Sequence, residues 1–270
     1  MSDPRPLLLL ANDDGVDAPG LRALKTALEA VAEVVVVAPE REQSGHSHSI
    51  TLQRPLRLNQ VDPGVWAIDG TPADCTYVGL FHPKLLPRTP DLVVSGINHG
   101  PNLGADVFYS GTVAAAREGA FRGVPAIAFS QCGRGDFAAS AHLAREMVTR
   151  LLEAQRPPGD APLLNVNFPE KAPTGVRATI LGRRRYTDEV DVRRDPRGRE
   201  YLWIGGPLTV HHEPVEGADT EAIDDGFVSV TPLLIRATQP DHLGVAAWVA
   251  GVKVGEGERA PDPAKAEDRP

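Results

Sequence analysis

The sequence predicts an α/β protein built on a mainly parallel β-sheet with helices on both faces. The first observation is an alternation of short apolar runs, rich in leucine and valine, with longer segments that have helical spacing of apolar residues. Such alternation is typical of right-handed βαβ units, which produce parallel sheets. The second observation is that the apolar runs are continuous, as expected for strands that are covered on both faces.

The expected elements follow this alternation along the chain. Five buried strands are predicted at residues 7–11, 33–38, 91–95, 125–130 and 163–167, with a further strand at 227–232. Helices are predicted at residues 21–31, 112–119 and 137–152, and Pro19 suits the first turn of the earliest one. Another helix is expected to be capped by Thr71 with Pro72 at its first position. The stretch before it, residues 50–69, is expected to be extended, with a hairpin as one arrangement.

Residues 183–210 indicate a second kind of structure, a protruding β-hairpin. Two strand-like arms, 186–193 and 200–204, flank a turn at residues 195–198 that has proline in second and glycine in fourth position. Such hairpins often serve oligomerisation, and a solvated arm without a partner is the alternative. We expect residues 1–254 to form one α/β domain with C-terminal elements. The tail at residues 255–270 is rich in proline, glycine and charge, and is expected to be disordered.

Composition excludes several classes of protein. The chain has 270 residues and a formal net charge of −8, so nothing favours binding to a nucleic-acid duplex or to an anionic membrane. No apolar stretch approaches the length of a transmembrane helix, and the N-terminal run is too short for a signal peptide. The two cysteines, Cys75 and Cys132, fit neither a disulfide framework nor a cysteine-based zinc site. We therefore expect a cytoplasmic protein.

Two adjacent carboxylates follow the first predicted strand. Asn12, Asp13, Asp14 and Gly15 stand where a dinucleotide-binding fold carries the glycines that approach a pyrophosphate. Bare carboxylates repel a phosphate, but a divalent cation between them turns the repulsion into a bridge. The alternative is that one aspartate caps the next helix and the other is solvated. Because two further polar loops follow other strands of the sheet, we favour a site for Mg²⁺ or Mn²⁺, which prefer oxygen ligands.

The loops after the second and third strands carry further oxygen donors. These donors are Ser44, Ser47, Asn98 and Asn102, in the stretches "PEREQSGHSHS" and "SGINHGPNLGADVFYSGT". Since ligands of open parallel sheets bind at the carboxyl ends of the strands, we expect these loops to meet. Residues 110–112, Ser-Gly-Thr, lead into a helix, where amides, hydroxyls and the helix dipole suit a phosphate. The same tripeptide is also typical of an ordinary N-cap.

Five motifs give the sequence a resemblance to a known family. In order along the chain they are "ANDDG", "APEREQSG", "DGTPADCTYVGL", "DLVVSGINHGPNLGADVFYSGTVAAAREG" and "DDGFVSVTPL". Together they resemble the SurE family, the stationary-phase survival nucleotidases, from about residue 7 to residue 233. The resemblance implies a Rossmann-like three-layer α/β/α fold and a divalent-metal-dependent phosphomonoesterase that hydrolyses nucleoside monophosphates. It also implies 5′-nucleotidase activity, with 3′-nucleotidase and exopolyphosphatase activities as additions. A homodimer or homotetramer, assembled through the hairpin and the C-terminal elements, is implied as well.

The resemblance also assigns site residues. It places the ligands of one divalent ion on Asp13, Asp14, Ser44 and Asn98, with Mg²⁺ or Mn²⁺ as the ion and Co²⁺ as a further candidate. It places the phosphate-side residues on Asn12, Gly45, Asn102, Ser110, Gly111 and Thr112. We expect Asp13 and Asp14 to be the catalytic residues, acting with a metal-activated water. Attack by a carboxylate, which would form an aspartyl-phosphate, is the alternative.

Two other functions are compatible with the sequence. His46 and His48 alternate and, together with Asp14, can bind zinc, as can the "HHE" at residues 211–213. The ordinary interpretation places both histidines on the polar rim of the pocket and residues 211–213 in a surface loop. The other function is that of a module that senses nucleotide or phosphate without turnover.

Overall fold

The computed structural model of the protein describes residues 5–155, 159–186, 190–204, 210–236 and 240–251. The chain divides into two compact units, Met1–Ile235 and Arg236–Pro270. The predicted disordered tail at residues 255–270 lies outside the described residues. The expectation of one domain over residues 1–254 stays a prediction.

The strands of the described residues form one large sheet and two small ones. In chain order they are β1 (Leu7–Ala11), β2 (Glu33–Pro39), β3 (Leu58–Asp62), β4 (Val65–Ile68), β5 (Leu92–His99), β6 (Ala126–Gln131), β7 (Leu163–Phe168), β8 (Val176–Ala178), β9 (Arg183–Tyr186), β10 (Val190–Arg194), β11 (Glu200–Ile204), β12 (Val210–Glu213) and β13 (Val228–Pro232). The large sheet has nine strands in the order β3-β4-β2-β1-β5-β6-β7-β13-β8.

The large sheet confirms the predicted Rossmann-like class. Its neighbouring strands run parallel, except that β3 is antiparallel to β4 and β13 is antiparallel to β7. The six central parallel strands lie in the order β4-β2-β1-β5-β6-β7. Numbered along the chain this is 3-2-1-4-5-6, the order of doubly wound nucleotide-binding folds. The direction of winding reverses between β1 and β5, so this is the point at which the fold offers a ligand crevice.

Helices cover both faces of the sheet and complete three layers. They are α1 (Pro19–Leu28), α2 (Pro72–Phe81), α3 (Gly111–Phe121), α4 (Phe137–Glu153) and α5 (Asp219–Asp224). The second unit contains a further helix, α6 (Leu243–Ala250). Alternate side chains of β1 point to opposite faces. Leu8 and Leu10 pack in a core with α1 and α4, whereas Leu7 and Leu9 pack in a core with α2 and α3. The continuous apolar run at residues 7–11 is therefore explained by burial on both sides.

The two predicted boundaries that move furthest do so for local reasons, and one predicted cap is confirmed. α1 ends at Leu28 instead of residue 31, because the chain leaves the helix in a turn in which the N–H groups of Val31 and Ala32 both bind the carbonyl of Leu28. β5 extends to His99 instead of residue 95, since it stays paired with β6 beyond a register irregularity. Thr71 caps α2 as predicted, and Asp74 completes a capping box with it.

The hairpin region matches the prediction only in part. β10 and β11 pair antiparallel across the predicted turn, where the N–H of Gly198 donates to the carbonyl of Asp195 at 2.9 Å. Tyr186, the predicted start of the first arm, belongs instead to β9, which pairs antiparallel with β12. The prediction of a surface loop at residues 211–213 is wrong, because these residues form β12 against β9. The hairpin expected within residues 50–69 is confirmed as β3 and β4.

The second unit is described by itself. Its described residues form a 3-10 turn, Pro240–His242, followed by α6, and the side chains of α6 are exposed. Within the described parts of the chain, no helix is long and apolar enough to cross a membrane.

Candidate active site

The candidate site begins where β1 ends at the switch point of the sheet. Ala11 of β1 lies beside Ser95 of β5, so the loops that follow these two strands are neighbours. The side-chain amide nitrogen of Asn12, Nδ2, donates to the main-chain carbonyl of Gly15 at 2.8 Å. Gly15 has a φ of +101°, a backbone conformation that side chains other than that of glycine rarely adopt. This tight turn projects the two carboxylates from the end of the strand.

Asp13 is enclosed by the N-terminus of α3. Its side chain accepts a hydrogen bond from the hydroxyl of Thr112, and only 3 % of the residue is exposed. A Cβ atom at Gly111 would lie 2.8 Å from the Cβ of Asp13, so only glycine lets the helix start this close. The N-terminus of α3, with its partial positive charge, therefore lies against the carboxylate of Asp13.

Both carboxylates are held in a state that resists ionisation. Burial raises the pKa of Asp13 to about 6, against the lowering effect of Thr112 and with a further contribution from the charge of Asp14. Burial also raises the pKa of Asp14, and the hydrogen bond from the N–H of His99, at 3.1 Å, opposes that rise. Among the described residues, no lysine or arginine forms an ion pair with either aspartate. Among the described residues, the two carboxylates therefore lack a basic side chain that would neutralise their charge.

A hard divalent cation fits this donor set. The carboxylates supply anionic oxygens, and the side-chain oxygen of Asn12 is buried without a hydrogen-bond partner. In the described part of the chain, no three side chains from His, Cys, Asp and Glu come together as a metal cluster. A cation at this site would therefore complete its shell with amide, hydroxyl and water oxygens, as Mg²⁺ and Mn²⁺ commonly do.

Ser44 and Gly45 lie in a loop that is tied to the end of β1. The N–H of Gln43 donates to the carbonyl of Asp13 at 2.8 Å. The hydroxyl of Ser44 donates to Glu42 at 3.0 Å and its residue is exposed, so it lies near the carboxylates without being locked onto them. Gly45 has a φ of +74°, and a side chain there would meet no atom within 4 Å. Space for a ligand is therefore open beside this glycine.

Asn98 approaches the carboxylates from β5. Its neighbour His99 donates the N–H that binds Asp14, which places the end of β5 next to the second carboxylate. The amide nitrogen of Asn98 donates to the carbonyl of Gly100 at 2.7 Å. Because the NH₂ group is used in this way, the amide oxygen is the atom left to act as a ligand.

Asn102 is held by a buried polar cluster that the sequence reading missed. Its N–H donates to the side-chain oxygen of Asn167 at 2.8 Å, and its carbonyl accepts from the side chains of Asn165 at 2.8 Å and Asn167 at 3.1 Å. Its own amide nitrogen donates to the hydroxyl of Ser130 at 2.8 Å. The signal was present in "LNVNF", since two asparagines on one face of a buried strand require partners.

The phosphate-side turn is also an N-cap. The hydroxyl of Ser110 accepts from the N–H of Val113 at 3.0 Å, so the N-cap interpretation of the tripeptide is confirmed. A capping hydroxyl that accepts one hydrogen bond still carries a proton to donate. The hydroxyl of Thr112, in contrast, is already committed to Asp13. The turn therefore keeps the hydroxyl proton of Ser110 available and uses the hydroxyl of Thr112 for the carboxylate.

The histidines considered for zinc have other partners. His46 contacts the carbonyl of Gln43 at 3.1 Å, and His48 contacts the carboxylate of Glu118 at 2.8 Å. In β12, His212 pairs with Asp224 at 2.8 Å. These contacts do not favour the zinc interpretation.

Fold and site together define a class: three-layer α/β/α proteins with acidic, oxygen-rich loops at the switch point of a parallel sheet. The model of the family described as survival protein SurE matches residues 8–188. The 5′-nucleotidase SurE of Sorangium cellulosum is 56 % identical over 249 residues, which cover 91 % of this chain and 96 % of that protein. The 5′-nucleotidase SurE of Deinococcus radiodurans is 49 % identical over 254 residues, covering 89 % and 91 %.

A solved structure agrees with these sequence comparisons. The crystal structure of the SurE protein from Aquifex aeolicus superposes with a TM-score of 0.79 at 39 % identity, covering 91 % of this chain and 100 % of that one. This chain belongs to the SurE family, and the resemblance found in its motifs is confirmed.

Proposed function

We propose that this protein is a divalent-metal-dependent 5′-nucleotidase that hydrolyses nucleoside monophosphates to nucleoside and phosphate. The observation that carries the proposal is the buried Asp13, beside Asp14 and under the N-terminus of α3, with its pKa raised to about 6. Such a site can bind a cation through its carboxylates and an anion at the N-terminus of the helix. The names of its relatives in Sorangium cellulosum and Deinococcus radiodurans support the same activity.

The proposed metal ligands are Asp13, Asp14, Ser44 and Asn98, and the proposed ion is Mg²⁺ or Mn²⁺, with Co²⁺ as a further candidate. When bound, such an ion supplies a Lewis acid that offsets the negative charge of the phosphoryl group. Thr112 has a positioning role in this proposal, because its hydroxyl orients the carboxylate of Asp13.

The remaining residues of the site hold the phosphate and the attacking water. The hydroxyl of Ser110 and the first amide of α3, at Gly111, face an anion as donors. Asn102 is fixed by its asparagine partners, and Asn12 and Gly45 border the same space. Both aspartates are proposed to be catalytic, but Asp14 is the less buried of the two. It is therefore the better placed to accept a proton from a water molecule.

Phosphate release after chelation tests this function. The protein is stripped of metal and then assayed with Mg²⁺, Mn²⁺, Co²⁺ or Zn²⁺ on p-nitrophenyl phosphate, on 5′- and 3′-nucleoside monophosphates and on short polyphosphate. We expect release from 5′-monophosphates with Mg²⁺ or Mn²⁺, and the other substrates define the 3′-nucleotidase and exopolyphosphatase activities. Release that returns only with Zn²⁺, or no release with any metal, would reject the proposal.

The protein is proposed to act as a homodimer or homotetramer in the cytoplasm. One face of the β10–β11 hairpin is apolar and exposed: Val190, Val192, Leu202 and Ile204. The side chains of α6 are exposed as well, and a second copy of the chain would cover such surfaces. Cys75 and Cys132 are free and buried, which suits a reducing compartment. Light scattering of the wild type and of Leu202→Lys tests the assembly, and a monomeric wild type would reject it.

A further inference from the structure

The segment at residues 43–51, called the Ser44 segment below, carries a proposed metal ligand yet has little regular structure. It is nevertheless anchored to the rest of the protein at several points. Its anchors are Gln43 on the carbonyl of Asp13, Ser47 on the carbonyls of Phe108 and Tyr109, His48 on Glu118, Ser49 on Thr71, and Thr51 on Asp74. Ser44 lies between the anchor at Gln43 and the anchors at Ser47 and His48.

His48 joins the segment to a buried charge, the carboxylate of Glu118, as Thr51 at the end of the segment joins it to Asp74. The Nε2 atom of His48 lies 2.8 Å from the carboxylate, whose side chain is only 3 % exposed. Arg122 reaches the other oxygen of Glu118 at 2.8 Å. Burial acts to raise the pKa of Glu118, but the hydrogen bonds from His48 and Arg122 outweigh it and lower that pKa. The imidazole also stacks on Phe121, with the ring centroids 5.2 Å apart.

Glu118 connects this contact to the proposed active site through a single helix. It lies on α3, eight residues after Ser110, which places it about 12 Å along the helix from the phosphate-side turn. The same helix carries Thr112, which orients Asp13. A contact from the Ser44 segment to Glu118 therefore fixes that segment relative to the rigid element that holds both the carboxylate and the phosphate-side turn.

Ser44 by itself is not fixed. Its side chain is exposed and bonds only Glu42 in the same loop, and Gly45 after it adds backbone freedom. Ser47, with a φ of +52°, shows that the chain is bent back sharply to reach its anchors on residues 108 and 109. Ser44 is therefore positioned from both sides, by the anchor of Gln43 before it and by the anchors of Ser47 and His48 three and four residues further on.

We propose that His48 is a positioning residue for the metal site: by binding Glu118 on α3, it holds the Ser44 segment where Ser44 can complete the coordination of the ion. The proposal rests on the proposed metal-dependent function. It differs from the interpretation of His48 as part of the pocket rim, because it assigns the effect of this residue to Glu118 and to metal affinity.

Two substitutions separate the hydrogen bond from the packing. His48→Phe keeps an aromatic ring to stack on Phe121 and loses the bond to Glu118, whereas His48→Gln keeps an N–H donor at a similar reach. The matched control is His142→Phe, since His142 faces Glu146 at 3.6 Å on the exposed surface of α4, away from the site. Metal affinity is measured by titration calorimetry with Mn²⁺ alone, and exposure of residues 43–51 by hydrogen exchange.

We expect His48→Phe to weaken Mn²⁺ binding about tenfold or more and to speed hydrogen exchange at residues 43–51. His48→Gln is expected to bind Mn²⁺ within about threefold of the wild-type affinity, and His142→Phe is expected to match the wild type. In nucleotide hydrolysis by His48→Phe, two fold-changes are compared. The fold rise in the Mn²⁺ concentration for half-activation should exceed the fold loss in kcat at saturating Mn²⁺. A role in folding alone would lower the melting temperature without changing Mn²⁺ affinity in the folded protein.

The outcomes are distinguishable. If the wild type binds Mn²⁺ and hydrolyses nucleotides while His48→Phe binds Mn²⁺ with wild-type affinity, the positioning role is wrong and the proposed function stands. If the wild type neither binds Mn²⁺ nor hydrolyses nucleotides, the proposed function fails and the positioning role fails with it. If His48→Phe does not fold, Glu118→Gln removes the charge that both His48 and Arg122 bind, and Arg122→Gln is the control for the loss of the second pair.

Discussion

Two buried aspartates of this protein have opposite surroundings. Asp219 is 0 % exposed, and its carboxylate accepts three main-chain hydrogen bonds, from Gly104 at 3.0 Å, Gly182 at 2.7 Å and Thr220 at 2.8 Å. Asp13 is 3 % exposed and has a second carboxylate beside it. Burial raises the pKa of both groups and hydrogen-bond donors oppose the rise at both, but at Asp13 the charge of the adjacent Asp14 adds to the rise.

The difference distinguishes a carboxylate that the fold itself satisfies from one that we propose to be functional. Asp219 joins two backbone segments that must lie close, since a Cβ at Gly104 would lie 2.6 Å from the carbonyl of Gly182. The donors to Asp219 are main-chain N–H groups of these segments. Asp13 has no basic side chain paired with it among the described residues, and a cation from solution can supply the positive charge. Asp219 therefore has a structural role, and Asp13 is the proposed ligand of an ion.

The largest expected effect is a loss of nucleotide hydrolysis when Asp13, and not Asp219, is substituted. Asp13→Asn keeps the size of the side chain and removes the charge that a cation needs. We expect nucleotide hydrolysis to fall on the order of 10³-fold. Asp17→Asn, an exposed aspartate of the same loop, is the control and should keep wild-type activity. A comparable loss of activity in Asp13→Asn and Asp17→Asn would contradict a specific role of Asp13.

The next effect concerns the contact between α3 and Asp13. Gly111→Ala places a Cβ 2.8 Å from the Cβ of Asp13 and 2.9 Å from the ring of Pro72, so the helix or the carboxylate must move. A displacement of this kind is expected to lower kcat/KM about 10²-fold. Gly123→Ala tests a glycine whose side chain would meet no atom within 4 Å, although its φ of +79° adds local strain. If Gly111→Ala is as active as the wild type, the helix does not need to sit on Asp13.

A third effect is visible in the stability of the metal-free protein. Because the folded-state pKa of Asp13 is about 6 and the usual value is 3.8, the charged carboxylate destabilises the fold above pH 6. The cost is about 3 kcal/mol and is relieved as the pH falls from 6 to 4. Asp13→Asn should therefore be more stable than the wild type at pH 8 in the presence of chelator, with the gain shrinking at pH 5. Urea unfolding measures this, and an equal gain at both values would contradict it.

The smallest effect is expected at Asp219. Asp219→Asn turns one accepting oxygen into an NH₂ group that faces main-chain donors, which should lower the free energy of unfolding by about 1–3 kcal/mol. Mn²⁺ affinity of the folded protein should stay near that of the wild type. If this variant lost metal binding as Asp13→Asn does, the two aspartates would belong to one site.

Local sequence features were sufficient to predict most of the fold. Continuous apolar runs indicated the buried strands, and the positions of proline and threonine indicated the starts of α1 and α2. The pairing of β9 with β12 could not be predicted in this way, since it joins residues 183–186 to residues 210–213 without a tight turn between them. The end of α1 was also missed, because apolar spacing continues past Leu28 into a turn.

The site was predictable in outline and less so in its contacts. Topology places the ends of β1 and β5 together, so the loops of Asp13, Asp14 and Asn98 were expected to meet. The partner of His48 lies 70 residues away and the partner of Asp13 lies 99 residues away. Nothing in the local pattern indicates such pairs, because they depend on how α3 packs against the sheet.

Anomalous diffraction from crystals of the protein grown with Mn²⁺ tests the central claim most directly. The account predicts one strong peak at the carboxyl end of β1, ligated by Asp13 and Asp14 and completed by Ser44 and Asn98. It also predicts that the peak is absent in Asp13→Asn and present in Asp219→Asn. A Mn²⁺ ion bound elsewhere, or bound at this edge without contact to the two carboxylates, would contradict the account.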